Sequence, residues 1–301
     1  MNSLSASTGL FYAQAKSRMG SLTAQADRLQ TQIATTKRLQ APSDDAVAFQ
    51  RLQRIERQGS DDAAYGSNLN LAASLLQQTD TTLGSMDDQI GRASELVLRA
   101  RNGTLDPVAR KAIGAELAEI VGTLVQLANT PDTRGQPLMG GADGTPAVTR
   151  AGNNFSFASG NAGAIPIGDD QAVQPGDSAA RVFALPGDRN ILAVMAALAA
   201  KLSEGDALGD SEGAGAIDDL KAAGDQMALV RGSVGARAAR VDLIQAQATD
   251  IAADRETERS GLEDTDITAA VADLQKTMTI LSATQASFSK LSQMSLFDYL
   301  R

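Results

Sequence analysis

The chain has 301 residues, 43% of them hydrophobic but only 3% aromatic, with no tryptophan, cysteine or histidine. A formal net charge of -9 repels a phosphate backbone on average and argues against a nucleic-acid partner. Lacking Cys and His, the chain has no disulfides and none of the commonest metal ligands and general bases, so catalytic, cofactor-binding and metal-binding residues are all expected to be none.

Small and aliphatic side chains without aromatic bulk predict helices packed in bundles and coiled coils. At the N-terminus the first cation is Lys16, and Asn2, Ser3, Ser5, Ser7 and Thr8 interrupt the apolar residues, so no cleaved secretory leader is expected. The longest apolar run, 191–200, is half of what a membrane span needs, and no membrane partner is expected.

In chain order, Phe11, Ala15, Met19, Leu22, Ala26, Leu29 and Ile33 recur at intervals of four and three, the seam spacing of a coiled-coil helix. The stripe runs to Leu39 and stops at Pro42, after which Ser43, Asp44 and Asp45 offer caps for a helix through Val47, Leu52 and Ile55. A third helical segment is predicted over 69–101, ending at Asn102-Gly103, and a fourth from Asp106-Pro107 to about 129. Six of the eight prolines fall between Pro131 and Pro186 among many glycines, which forbids long helices there. Short runs at 154–158 and 180–185 read as strands of a small β-rich insertion.

Beyond it, a short helix near 191–202 and a long one over about 216–259 are expected, with a break at Ser260-Gly261. Ile267, Val271, Leu274, Met278 and Leu281 then keep a strict four-three spacing, extended by Phe288 and Leu291. A helix of about 35 residues is roughly 50 Å long. Seam positions held by Ala15, Ala26 and Gln285 weaken such a pair, whose two ends are expected to be poorly ordered in the monomer and to become a stable coiled coil when neighbouring subunits add buried surface.

The acidic group Glu263, Asp264 and Asp266, like Asp44 and Asp45, is expected to cap a helix rather than bind metal. Gly84 and Gly91, seven residues apart, predict a face where another helix approaches closely. Gly140-Gly141-Ala142-Asp143-Gly144 lacks the Lys-Ser/Thr of a phosphate-binding loop and reads as a turn.

Arg28-Leu29-Gln30-Thr31-Gln32-Ile33-Ala34-Thr35-Thr36-Lys37-Arg38-Leu39, followed by Ala41-Pro42-Ser43-Asp44-Asp45-Ala46, resembles the N-terminal signature of the flagellin family. Gln78 to Leu83, Arg99 to Thr104 and Leu262-Glu263-Asp264-Thr265-Asp266-Ile267 through Leu274 are similar to further elements of that family, in the same order. Thr36 departs from the pattern, in which glycine is usual. The ending Leu291-Ser292-Gln293-Met294-Ser295-Leu296-Phe297-Asp298-Tyr299-Leu300-Arg301 looks like that of the family's hook–filament junction group, as does the passage 135–146.

The resemblance implies a mainly α fold: a long antiparallel helical bundle or coiled coil formed by the N- and C-terminal regions, with a small β-rich insertion. Its domains would be a terminal coiled coil (1–42 plus 262–301), a helical bundle (43–137 plus 190–261) and a variable outer domain (138–189). It implies a structural subunit of the bacterial flagellum, exported unfolded by the type III route and acting outside the cell. Expected partners are further copies in a helical ring, a neighbouring hook-associated protein, flagellin, and an export chaperone on the C-terminal helix. The interface would use the two stripes named above together with Leu296 and Phe297. Filament flagellin and a surface ligand-binding protein are the alternatives.

Overall fold

The computed structural model of the chain describes residues 2–140, 144–160 and 162–299, except the side chains of residues 2–9, 11 and 291–299. The fold is mainly α, as the sequence predicts. Its helices are α1 (Asn2–Thr35), α2 (Ala46–Ala100), α3 (Pro107–Ala128), α4 (Ala179–Val182), α5 (Ile191–Glu204), α6 (Asp210–Glu263) and α7 (Ile267–Tyr299). Two compact units form, one of residues 1–60 with 251–301 and the other of residues 61–250.

In residues 61–250, α2 buries Leu69, Ala72, Leu76, Thr79, Leu83, Met86, Ile90, Ala93, Val97 and Ala100, an unbroken three-four alternation that defines one helix face. That face joins a single hydrophobic cluster with Leu117, Val121 and Leu124 of α3, Ile191, Met195 and Leu202 of α5, and Leu220, Met227 and Val234 of α6. Helix boundaries follow local chemistry. Asp106 accepts a hydrogen bond from the Ala109 N–H at 2.8 Å, and Pro107 takes the first helical position of α3. Asn190 caps α5 in the same way, and Gly205, at φ 91°, closes it.

Three elements differ from the sequence reading. Glycines 59 and 66 do not interrupt α2, whose two predicted segments are one helix of 55 residues. A helical glycine costs about 1 kcal/mol relative to alanine, too little to break a helix with a long buried face. Likewise α6 passes Ser260-Gly261 and ends at Glu263. Of residues 180–185, expected as a strand, 180–182 belong to the single turn α4, which Ser178 caps by accepting from the Arg181 N–H, and only Ala184–Leu185 are strand.

The region between α3 and α5 contains three separate antiparallel hairpins. They are β1 (Val148–Ala151) with β2 (Asn154–Phe157), β3 (Ile165–Gly168) with β4 (Gln171–Val173), and β5 (Ala184–Leu185) with β6 (Arg189–Asn190). None is large enough to hold a core of its own. Their inward residues Val148, Ile165, Ile167, Val173 and Leu185 join the helical cluster instead. Asn129 fixes the first hairpin by donating to the Val148 carbonyl at 2.8 Å and accepting from its N–H at 3.1 Å. Asn68 donates to the Pro166 carbonyl of the second at 2.8 Å, and Arg189 of the third forms a forked pair with Asp219 at 2.7 and 2.8 Å.

Between β4 and α4, the buried Asp177 carboxylate accepts from Arg181 at 2.6 Å and from Arg237, while Thr79 donates to the Pro175 carbonyl at 3.0 Å. This segment is thereby tied to both α2 and α6.

Helices α3 and α5 approach each other closely at Gly114. A Cβ on Gly114 would stand 2.6 Å from the Ser203 nitrogen and 2.9 Å from the Ala199 carbonyl oxygen. Both are backbone atoms that cannot turn aside. Gly114→Ala is therefore expected to destabilise the protein by about 1–3 kcal/mol in urea unfolding. Gly122→Ala in the same helix, where the added carbon meets nothing within 4 Å, should stabilise by about 0.5–1 kcal/mol.

Candidate assembly surface

In residues 1–60 with 251–301, α1 and α7 pack as an antiparallel pair. Tyr12 and Phe288 meet edge to face at one end, with centroids 5.3 Å apart, and Lys37 bridges to Asp264 at the other. On α1 the partly or fully covered residues are Tyr12, Ala15, Met19, Leu22, Ala26, Leu29 and Ile33. On α7 they are Ala270, Leu274, Thr277, Leu281, Thr284 and Phe288, again at four-three spacing.

The α7 seam is thus turned by one residue from the predicted one. Leu274, Leu281 and Phe288 belong to both stripes, but Ile267, Val271 and Met278 remain 39%, 37% and 51% exposed. The seam takes Ala270, Thr277 and Thr284 in place of Val271, Met278 and Gln285, exchanging larger side chains for smaller ones. The alternating Ala, Thr and large apolar residues 270–288 carry that signal in the sequence. The side chains of Phe11, Leu291, Leu296 and Phe297, also expected in the interface, lie outside the described residues.

Consequently α7 has two apolar edges, one against α1 and one uncovered. Ile280 and, on α1, Leu10 are exposed as well, at 44% and 64%. Among the described α1 seam hydrophobics only Ala26 is buried, so a two-helix ribbon leaves both of its flanks to solvent.

The base of the ribbon is a backbone crossing. The Arg38 N–H donates to the Glu263 carbonyl at 2.6 Å, the Thr265 N–H to the Thr36 carbonyl at 2.9 Å, and the Arg38 guanidinium to the Leu262 carbonyl at 2.9 Å. Glu263 is buried and its carboxylate takes Lys37 on one oxygen and Arg259, at 2.5 Å, on the other. Its expected role as a helix cap is therefore replaced by a buried ion pair. Asp264 accepts from the Ser260 hydroxyl, and only Asp266 of the three caps α7, accepting from the Ala269 N–H at 3.0 Å. On the other strand, Asp45 caps α2 through the Val47 and Ala48 N–H groups, and Asp44 accepts from the Gln40 and Ala41 N–H groups at 3.1 and 3.0 Å. Those two bonds, Gln40 first, hold the Asp44 carboxyl below the usual carboxylate range.

Elsewhere, Gly84 and Gly91 do not make the close helix contact predicted for them. The Arg231 guanidinium lies 3.7 Å from a Cβ at Gly84, and nothing lies within 4 Å of one at Gly91. Gly91 lines an open groove with Asp87, Asp88, Lys221 and Asp225. Among the described residues, no group of three acidic side chains could hold a metal ion, and no helix is long and apolar enough to cross a membrane.

Two measurements probe the crossing. Glu263→Ala, which leaves Lys37 and Arg259 without their shared carboxylate, should lower stability in urea by about 1–3 kcal/mol. A depressed carboxyl pKa contributes stability that is complete above the unfolded value near ~4 and is lost as pH falls through the lower folded value. Asp44→Asn should accordingly make the loss of thermal stability on the acid side of about pH 4 shallower.

Residues 6–143 match the family model described as the bacterial flagellin N-terminal helical region. Flagellar hook-associated protein 3 of Salmonella typhimurium is 23% identical over 98% of this chain and 99% of its own length. The flagellin of Listeria innocua is 26% identical over 88% of this chain and 86% of its own. In three dimensions, the crystal structure of flagellar hook associated protein-3 from Legionella pneumophila superimposes with a TM-score of 0.59. It covers 76% of this chain and 99% of that one at 12% identity.

Proposed function

We propose that this chain, which is similar to the flagellin family and most of all to its hook–filament junction members, is a structural subunit joining hook to filament. The observation that carries this reading is the uncovered apolar edge Ile267, Val271 and Met278 on α7, beside a seam already occupied by α1. Such an edge on a two-helix ribbon is buried when ribbons of neighbouring subunits stand side by side.

In this reading the terminal regions 1–42 and 262–301 form the inner layer of the assembly. Segments 43–137 and 190–261 form the next, and 138–189 the variable outer part. Further copies, a neighbouring hook-associated protein and flagellin cover the remaining flanks. The chain reaches its place outside the cell by unfolded export through the flagellar type III apparatus, with a chaperone holding α7 before assembly. A fold without cysteine suits such passage, because no bridge has to form or break on the way.

Val271→Glu with Met278→Glu tests the edge directly. Both positions are exposed in the single chain, so its helicity by circular dichroism should be unchanged. Hooks in a strain carrying only this variant should lack filaments and release flagellin to the medium. Filaments of normal length would refute the assignment of this edge to assembly. The flagellin likeness supports a second reading, a filament subunit. Immunogold labelling separates the two: one band at the far end of the hook belongs to a junction subunit, and labelling along the filament to a flagellin.

A further inference from the structure

Two costs meet at the backbone crossing that the assembly reading does not use. Thr36 has φ 60°, in the left-handed region, where its branched side chain crowds its own backbone. Across from it the Thr265 hydroxyl oxygen is buried without a hydrogen-bond partner. The two residues are bonded to each other, Thr265 N–H to Thr36 carbonyl at 2.9 Å, so a separation that frees one also frees the other.

The forces that hold the crossing shut are few and partly wet. Lys37 is 51% exposed and can exchange Glu263 for water. The remaining closure rests on the Arg38 N–H and guanidinium bonds to the Glu263 and Leu262 carbonyls, on the Arg259 pair, and on the buried Leu39. Helices end on all sides of it: α1 stops at Thr35, α2 begins at Ala46, α6 stops at Glu263 and α7 begins at Ile267. The segments 36–45 and 264–266 can therefore change course without breaking a helical hydrogen-bond ladder.

We propose that the crossing is a strained latch. It opens and recloses as a local unit while α1, α2, α6 and α7 stay helical, and the conformation of Thr36 together with the unpaired hydroxyl of Thr265 keeps its open form accessible. Opening lets the α1/α7 ribbon turn about the ends of α2 and α6. Thr36 sets how readily this happens: a glycine there would hold the latch closed, because φ 60° costs glycine nothing. The inference concerns a single chain and stands whether or not the α7 edge is an assembly surface.

Residue-resolved amide exchange on the full chain tests it, read at the Arg38 and Thr265 N–H groups that close the crossing. Thr36→Gly should slow exchange at both by about tenfold, less whatever the added freedom of glycine gives back in the open form. Thr36→Val keeps the branched carbon and should stay within about twofold of the parent. Thr265→Val, which removes the unpaired hydroxyl at constant shape, should slow both sites by about fivefold. The amides of Leu22 and Leu281, in the ribbon itself, should keep their parent rates in every variant. Unchanged or faster exchange at Arg38 and Thr265 in Thr36→Gly would overturn the proposal. So would equal slowing at Leu22 and Leu281, since the crossing would then open only together with the helix pair.

Discussion

Arg38 and Leu262 are 224 positions apart in the chain, yet the backbone crossing between their segments decides what α1 and α7 can do. A coiled-coil pair needs its two seams in register from the first contact onward, and the crossing supplies that first contact. It brings a buried carboxylate, Glu263, between two cations from different segments, which costs desolvation and is recovered only when both partners are in place. The arrangement specifies one geometry more than it adds stability. From there the ribbon runs on small and medium side chains, and α7 keeps a second apolar edge uncovered.

The unit of residues 61–250 depends on a different constraint, close approach of helices with little aromatic volume to fill space. Alanines at 72 and 93 in α2 and the glycine at 114 in α3 bring backbones near enough for leucines and methionines to fill the rest. Polar side chains in this core are matched one by one. Thr79 satisfies a loop carbonyl, Asn129 satisfies both backbone groups of Val148, and Asp177 gathers two arginines. A core of this kind tolerates few exchanges of size, since each small residue answers a particular neighbour.

Local signals were legible in the sequence wherever one residue decides an outcome. The Asp106-Pro107 start follows from capping and from the fixed φ of proline, whereas the stop expected at Pro42 comes earlier, since α1 ends at Thr35 where Thr36 takes φ 60°. The fused α2 was not legible, because the glycine cost is local while the compensating burial is spread over the whole helix. Neither was the register of α7, where two stripes share Leu274, Leu281 and Phe288 and only the partner helix chooses between them. Thr36 lies in between. Its departure from the glycine usual in the family that the chain resembles marks the position, but only the structure gives it a left-handed φ. The tight spot at Gly114 depends on Ser203, 89 positions later, and left no local trace.

The three hairpins share no sheet, and each is fastened to the helices by its own side chain: Asn129, Asn68 or Arg189. Their turns sit at Gly152, Asp170 and Gly187-Asp188, all with positive φ, and Tyr65 of α2 also holds the second turn by donating to Asp169 at 3.0 Å. Lengthening one turn adds no register error to the other two, because no hydrogen-bond ladder passes between them. A change in the length of one hairpin can accordingly leave the spacing of the helices untouched.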